Sequence, residues 1–157
     1  MAMDVSALLD GYRQRGLRIA TAESCTGGMI AAALTAIAGS SEVFERGWIT
    51  YSNAAKAESL GVSPETLAVH GAVSAETAEA MAKGAMHRAQ AQVAVSVTGI
   101  AGPGGGSPEK PVGLVFIGLA RKDGWCQVER CEFSGDRDAV RQQTVDRALT
   151  HLASVLK

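Results

Sequence analysis

Two stretches, Val112-Gly113-Leu114-Val115-Phe116-Ile117-Gly118-Leu119-Ala120 and Cys126-Gln127-Val128-Glu129-Arg130-Cys131-Glu132-Phe133, flank Asp123-Gly124 and read as a β-hairpin. Just upstream, Val93-Ala94-Val95-Ser96-Val97 is a strongly β-branched strand entering a glycine-rich loop, Gly99 to Gly106. Before that point strands and helices alternate. Leu17 to Ala22 and Trp48 to Tyr51 are predicted strands; Val5 to Arg15, Gly27 to Ala38 and Asn53 to Leu60 are predicted helices. The alternation predicts an α/β chain folded as a three-layer α/β/α sandwich around a mixed, mostly parallel sheet, and the hairpin argues against a wholly parallel one.

Capping signals support this division. Ser63-Pro64 opens a short helical turn with Pro at its first position. Ser74 starts a helix running to about Gln90, with Glu76 and Glu79 early and Lys83, His87 and Arg88 late, as the helix dipole favours. Its inner stripe is Ala78, Met81, Ala82, Ala85, Met86 and Ala89. The last predicted helix, Asp136 to Leu156, buries Val145, Ala148, Leu149, Leu152 and Leu156. With 157 residues and no linker or repeat, the chain reads as one domain, residues 1–157.

Hydrophobic residues make up 46% and charged residues 20%, the balance of a globular protein. A formal charge of −1 gives no footprint for nucleic acid or an anionic membrane, so any phosphate must be held by a local site. Met1 to Asp10 lacks the basic start of a signal peptide, and the apolar run from Met29 to Ala38 is too short to cross a bilayer. Cys25, Cys126 and Cys131 leave one thiol unpaired under any disulfide scheme and have no zinc spacing, which points to reduced thiols in a cytoplasmic protein.

Four stretches rich in polar or glycine residues sit at element boundaries: Glu23 to Gly28, Tyr51 to Lys56, Thr98 to Ser107 and Ser134 to Asp138. The first three follow predicted strands, where open α/β sheets bind ligands. Ser24 lies at a strand-to-helix junction, and the amides of Thr26, Gly27 and Gly28 are expected as first-turn donors for a phosphate or an oxyanion. That arrangement suits a nucleophile or an anion clamp, and equally a Ser24 or Thr26 that only caps the helix. Lys56 falls in the first turn of its helix, where a cation opposes the dipole and the neutral amine is favoured. The alternative there is a solvated surface lysine. Neither a P-loop nor the dinucleotide fingerprint is present in the glycine-rich loop, yet Gly99, Gly102, Gly104 and Gly105 can line a pocket or form an anion nest. Arg137 and Arg141, one helical turn apart, suit phosphate recognition or salt bridges to Asp136 and Asp138. Cys25 is a rival nucleophile or a small buried hydrophobe, and the three histidines have no metal-like spacing.

Together these strings resemble the C-terminal domain family of the competence/damage-inducible protein CinA. The resemblance is carried by Thr21-Ala22-Glu23-Ser24-Cys25-Thr26-Gly27-Gly28, Gly39-Ser40-Ser41, Thr50-Tyr51-Ser52-Asn53 through Lys56 and His70-Gly71-Ala72-Val73-Ser74. It continues through Thr98-Gly99-Ile100-Ala101-Gly102-Pro103, Lys110-Pro111-Val112-Gly113 and Phe133-Ser134-Gly135-Asp136-Arg137. It implies a metal-independent, cofactor-free amidohydrolase acting on nicotinamide mononucleotide, with Ser24 as nucleophile, Lys56 as base and Tyr51 lining the site. A sandwich similar to anticodon-binding domains and a homodimer or higher homo-oligomer are also implied. Longer members carry an extra N-terminal domain, whose activity is not expected here. The rival reading is a non-catalytic nucleotide- or partner-binding module acting in competence or DNA-damage responses.

Overall fold

The structure, a computed structural model, describes residues 3–157, so the readings of the signal peptide and of the domain start fall partly outside the described residues. In chain order it contains α1 (Val5–Gln14), β1 (Ile19–Glu23), α2 (Met29–Thr35), a 3-10 turn (Ser40–Glu42), β2 (Phe44–Ile49), α3 (Asn53–Leu60) and α4 (Pro64–His70). Then come α5 (Ala75–Arg88), β3 (Val93–Gly99), β4 (Leu114–Arg121), β5 (Cys126–Glu132) and α6 (Arg137–Ser154). The strands form one sheet in the order β2-β1-β3-β4-β5. β1 is parallel to both β2 and β3, whereas β4 pairs antiparallel with β3 and with β5. Two of the four pairings are parallel and two antiparallel, the mixed sheet that the hairpin predicts, and only β4 runs against the other four strands.

The two faces of the sheet are built from different residues, and each strand's alternation encodes this. Ile19, Val93, Val95, Val97, Val115, Ile117 and Leu119 point to the side covered by α1, α2 and α6. Ala20, Ala22 and Ala94 point to the side covered by α5, where they meet Met81 and Ala85. Small side chains let α5 lie close: the Ser96 hydroxyl donates to the carbonyl of Ala78 at 2.6 Å. Burying a side chain such as Met81 contributes about 2 kcal/mol, and the close approach adds contact over the whole helix. At Gly84 a Cβ would lie 2.0 Å from the Leu60 carbonyl oxygen, so α3 can abut α5 only because that residue is glycine. This contact fixes the helix that carries Lys56.

The capping signals at Ser63 and Ser74 are borne out, and Ser52 and Asp136 act in the same way: each accepts the amide three residues on, at the starts of α4, α5, α3 and α6. Two of the differences from the expected boundaries bear on the site. β2 runs over Phe44–Ile49 rather than Trp48 to Tyr51; it is an edge strand paired on one side, and exposed Arg46 and Gly47 break its apolar signal. α2 starts at Met29 and not at Gly27, since Gly27 and Gly28 adopt φ of +58° and +108°, outside the helical region. No helix among the described residues is long and apolar enough to cross a membrane.

Candidate active site

Because β1, β2 and β3 are parallel, the segments that follow them emerge at one edge of the sheet. Ser24 continues from β1, Thr50 and Tyr51 from β2, and Thr98 and Gly99 end β3. Ser24, Tyr51, Thr98 and Gly99 line a pocket of about 190 Å³ together with Cys25, Lys56, Ala72, Val73, Ala101 and Arg137. Lys56 is the fourth residue of α3. A helical Cα–Cβ bond tilts toward the N-terminus, so its long side chain turns back over the segment that precedes the helix. There its amine meets three oxygens: Ser24 Oγ at 3.1 Å, the Thr50 carbonyl at 3.0 Å and the Tyr51 carbonyl at 3.2 Å. The side chain is 1% exposed, and burial pushes its pKa below the ordinary lysine range. Lys56 is thus a buried group within hydrogen-bond reach of Ser24, not a solvated surface lysine.

The Ser24–Gly28 turn is held from two sides. Glu23, 1% exposed at the end of β1, accepts from the Thr26 hydroxyl at 2.5 Å and from the amides of Ile30 at 2.9 Å and Ala31 at 3.0 Å. It caps α2 from a distance, because the N-cap residue, Gly28, has no side chain to do so. This corrects the expectation for Thr26, Gly27 and Gly28. They precede the helix: the Gly27 amide donates to the Ser24 carbonyl at 3.1 Å, the Gly28 amide has no protein acceptor among the described residues, and of the true first-turn donors Met29 is taken by the Thr26 carbonyl and Ile30 and Ala31 by Glu23. The amides of Cys25 and Thr26 have no protein acceptor among the described residues.

The two arginines diverge, although both project from the first turns of α6. Arg137, exposed at the pocket rim, donates to the Gly102 carbonyl at 2.8 Å and to the Tyr51 hydroxyl at 3.1 Å. Arg141 turns inward and donates to the carbonyls of Cys25 at 3.0 Å and Thr26 at 3.2 Å. Neither guanidinium engages Asp136, whose side chain caps α6. Tyr51 contributes its carbonyl to Lys56 and its hydroxyl to Arg137. Of the loop glycines, Gly99 lines the pocket and Gly102 anchors Arg137, while Gly104 and Gly105 are exposed and outside its lining.

Cys25 is buried and belongs to the apolar core, and its thiol is pushed up to about 12, chiefly by burial. Such a thiol is a poor source of thiolate. Elsewhere His70 faces Glu76 at 3.7 Å and His151 contacts Glu129 at 2.8 Å, both away from the pocket. Glu23 and Thr98 stood in quoted motifs but carried no predicted role. Thr98 is buried in the pocket wall, with its hydroxyl donating to the Ala72 carbonyl at 2.8 Å. A readable signal for Glu23 was present: an acid at the end of an otherwise apolar strand, ahead of a helix whose approach, Gly-Gly, offers no capping side chain.

The fold and this pocket define an α/β sandwich with a buried serine–lysine pair at the carboxyl ends of its parallel strands. The chain belongs to the CinA C-terminal domain family, whose model matches residues 3–156. It is 55% identical over 143 residues to the nicotinamide-nucleotide amidohydrolase PncC of Enterobacter agglomerans, covering 91% of this chain and 85% of that protein. To a CinA-like protein of Geobacter sp. (strain M21) it is 58% identical over 144 residues, 92% of this chain but 34% of that protein. The chain therefore spans about a third of one kind of relative and most of the other. Among solved structures, the competence/damage inducible protein CihA from Agrobacterium tumefaciens superimposes with a TM-score of 0.95 at 48% identity, covering 98% of this chain and 93% of that one.

Proposed function

We propose that this protein is a nicotinamide-nucleotide amidohydrolase that converts nicotinamide mononucleotide to nicotinic acid mononucleotide and ammonia, with Ser24 as nucleophile and Lys56 as base. The observation that carries the chemistry is the set of three oxygens around the Lys56 amine. A neutral amine has two N–H donors and one lone pair. The Thr50 and Tyr51 carbonyls take the two donors, which leaves the lone pair for the proton of the Ser24 hydroxyl. Burial favours that neutral form. The choice of substrate is supported by the relatives named amidohydrolases that align with nearly the whole chain.

The reaction then runs as acyl transfer to water. Lys56 accepts the Ser24 proton while Oγ bonds to the carboxamide carbon, and the unengaged amides of Cys25 and Thr26 are the proposed donors to the oxyanion. The tetrahedral species collapses with cleavage of the C–N bond, Lys56 returning its proton to the departing ammonia. Water adds to the acyl-enzyme with Lys56 again as base, and the nicotinate nucleotide leaves Ser24. The pocket around Ser24 suits the pyridine carboxamide. A neighbouring groove shares Ala101 and Arg137 with it and is further lined by Pro103, Val112, Gly135, Asp136 and Asp138. We assign the ribose phosphate to that groove, with the exposed Arg137 as its cation. The three free thiols agree with a cytoplasmic enzyme.

Ammonia release from nicotinamide mononucleotide tests the reading directly. Activity is expected in the wild type and lost in Ser24→Ala and Lys56→Met. A folded wild type that binds the nucleotide but releases no ammonia would instead identify a non-catalytic binding module. Full activity in Ser24→Ala with none in Cys25→Ala would move the nucleophile to the thiol.

A further inference from the structure

We infer that Glu23 and Arg141 are positioning residues for Ser24, clamping the Ser24–Gly28 turn from its donor side and its acceptor side; the inference rests on Ser24 being the nucleophile. The turn needs such a clamp. Gly27 and Gly28 both occupy left-handed conformations, and glycine leaves many others open. A nucleophile must nevertheless be held within about 0.5 Å of its productive position.

Glu23 supplies two acceptor atoms to three donors. Oε1 takes the Thr26 hydroxyl and the Ile30 amide, and Oε2 takes the Ala31 amide. One carboxylate therefore ties the middle of the turn to the first turn of α2, and β1 to both. The Ile30 and Ala31 amides can only donate, so both carboxyl oxygens are needed as acceptors; an amide in its place would turn an N–H toward another N–H. Arg141 acts on the opposite side, donating to the carbonyls of Cys25 and Thr26. In a trans peptide the N–H points opposite to the C=O of the same unit. Holding the Cys25 carbonyl toward α6 thus turns the Thr26 amide away from α6, where it has no protein acceptor. The guanidinium that suggested a phosphate contact in the sequence is engaged in fixing the backbone beside the nucleophile.

The test uses the full-length chain, with kcat and KM for nicotinamide mononucleotide, the thermal midpoint, and the rate at which a fluorophosphonate labels Ser24. A displacement near 1 Å can cost about 100-fold in rate. Glu23→Gln is expected to lower kcat by about 10- to 100-fold with KM within about twofold, and to slow labelling of Ser24 in parallel. Arg141→Lys is expected to lower kcat by about 10-fold, again with KM little changed. Thr26→Val removes one contact only and is expected to reduce kcat several-fold; it decides the matter if Glu23→Gln does not fold. Wild-type kcat and labelling in a folded Glu23→Gln or Thr26→Val overturn the clamp, as does a rise in KM alone. An active Ser24→Ala would show that the nucleophile assignment itself had failed. An inactive Ser24→Ala beside a fully active Glu23→Gln would show that only the clamp had.

Discussion

Helices α2 and α3 both start at the carboxyl edge of the parallel strands, on opposite faces of the sheet, and each is served by one buried ionisable side chain of opposite sign. At α2 the group is Glu23, a carboxylate that receives the first-turn amides of Ile30 and Ala31. At α3 it is Lys56, an amine in the first turn facing two carbonyls and a serine hydroxyl. The helix dipole favours the first arrangement and opposes the second. Where the charge matches the dipole and every lone pair has a donor, the group holds structure in place. Where the charge is mismatched and water is excluded, the group is driven toward its neutral, basic form. A buried ionisable group beside a helix start is therefore a fastener in one case and a reactive base in the other.

The largest effects should fall on activity at the α3 side. Lys56→Met and Ser24→Ala should each lower kcat/KM for nicotinamide mononucleotide by on the order of 10⁴-fold, read as ammonia release. The two sides should then part in stability. Glu23→Ala leaves a buried hydroxyl and two amides without an acceptor, a cost of about 2–4 kcal/mol. Lys56→Met removes a buried amine and should be neutral or stabilising, by up to about 2 kcal/mol. Denaturant unfolding of both variants checks the contrast, and equal destabilisation would break it.

pH should sharpen the difference further. The folded-state pKa of Lys56 is lowered, so the folded protein binds fewer protons there than the unfolded chain between the two values. The cost of burying this amine is full below its folded pKa and is relieved as pH rises toward the ordinary lysine range. kcat/KM should climb over the same interval as the base is uncovered, with an inflection below that of a free lysine and absent from Lys56→Met. A pH–rate profile decides this. The smallest effect belongs to Cys25→Ala. The thiol is buried and held protonated, so kcat should stay within about threefold and stability should fall by about 1 kcal/mol, the cost of a small cavity.

Local chemistry made much of this legible. The serine caps of α4 and α5 and the apolar stripe of α5 follow from side chains acting on their own helix, and each lies where its spacing predicts. Alternation along β1 and β3, large side chains one way and small ones the other, carries the two unlike faces of the sheet. The site was legible as candidates. Ser24, Tyr51 and Lys56 stood out as polar residues at strand ends, yet 32 positions separate Ser24 from Lys56, and no local rule brings them together. Arg137 and Arg141 looked equivalent because helical periodicity gives neighbours on a face, not the partners that each long side chain reaches. Glu23 is only partly legible for a related reason: two of its three donors belong to a helix seven and eight residues downstream.

What the sequence determined by itself is the succession of elements, their caps, the apolar core and a short set of polar junctions, all of which depend on neighbours within a few residues. What tertiary structure alone decided is the meeting of Lys56 with Ser24, the remote capping of α2 by Glu23 and the parting of the two arginines. The parallel pairing of β1, β2 and β3 gathers three distant strand ends at one edge. Burial there lowers the pKa of Lys56 and aims its amine at Ser24, while Glu23 holds the turn that carries the serine.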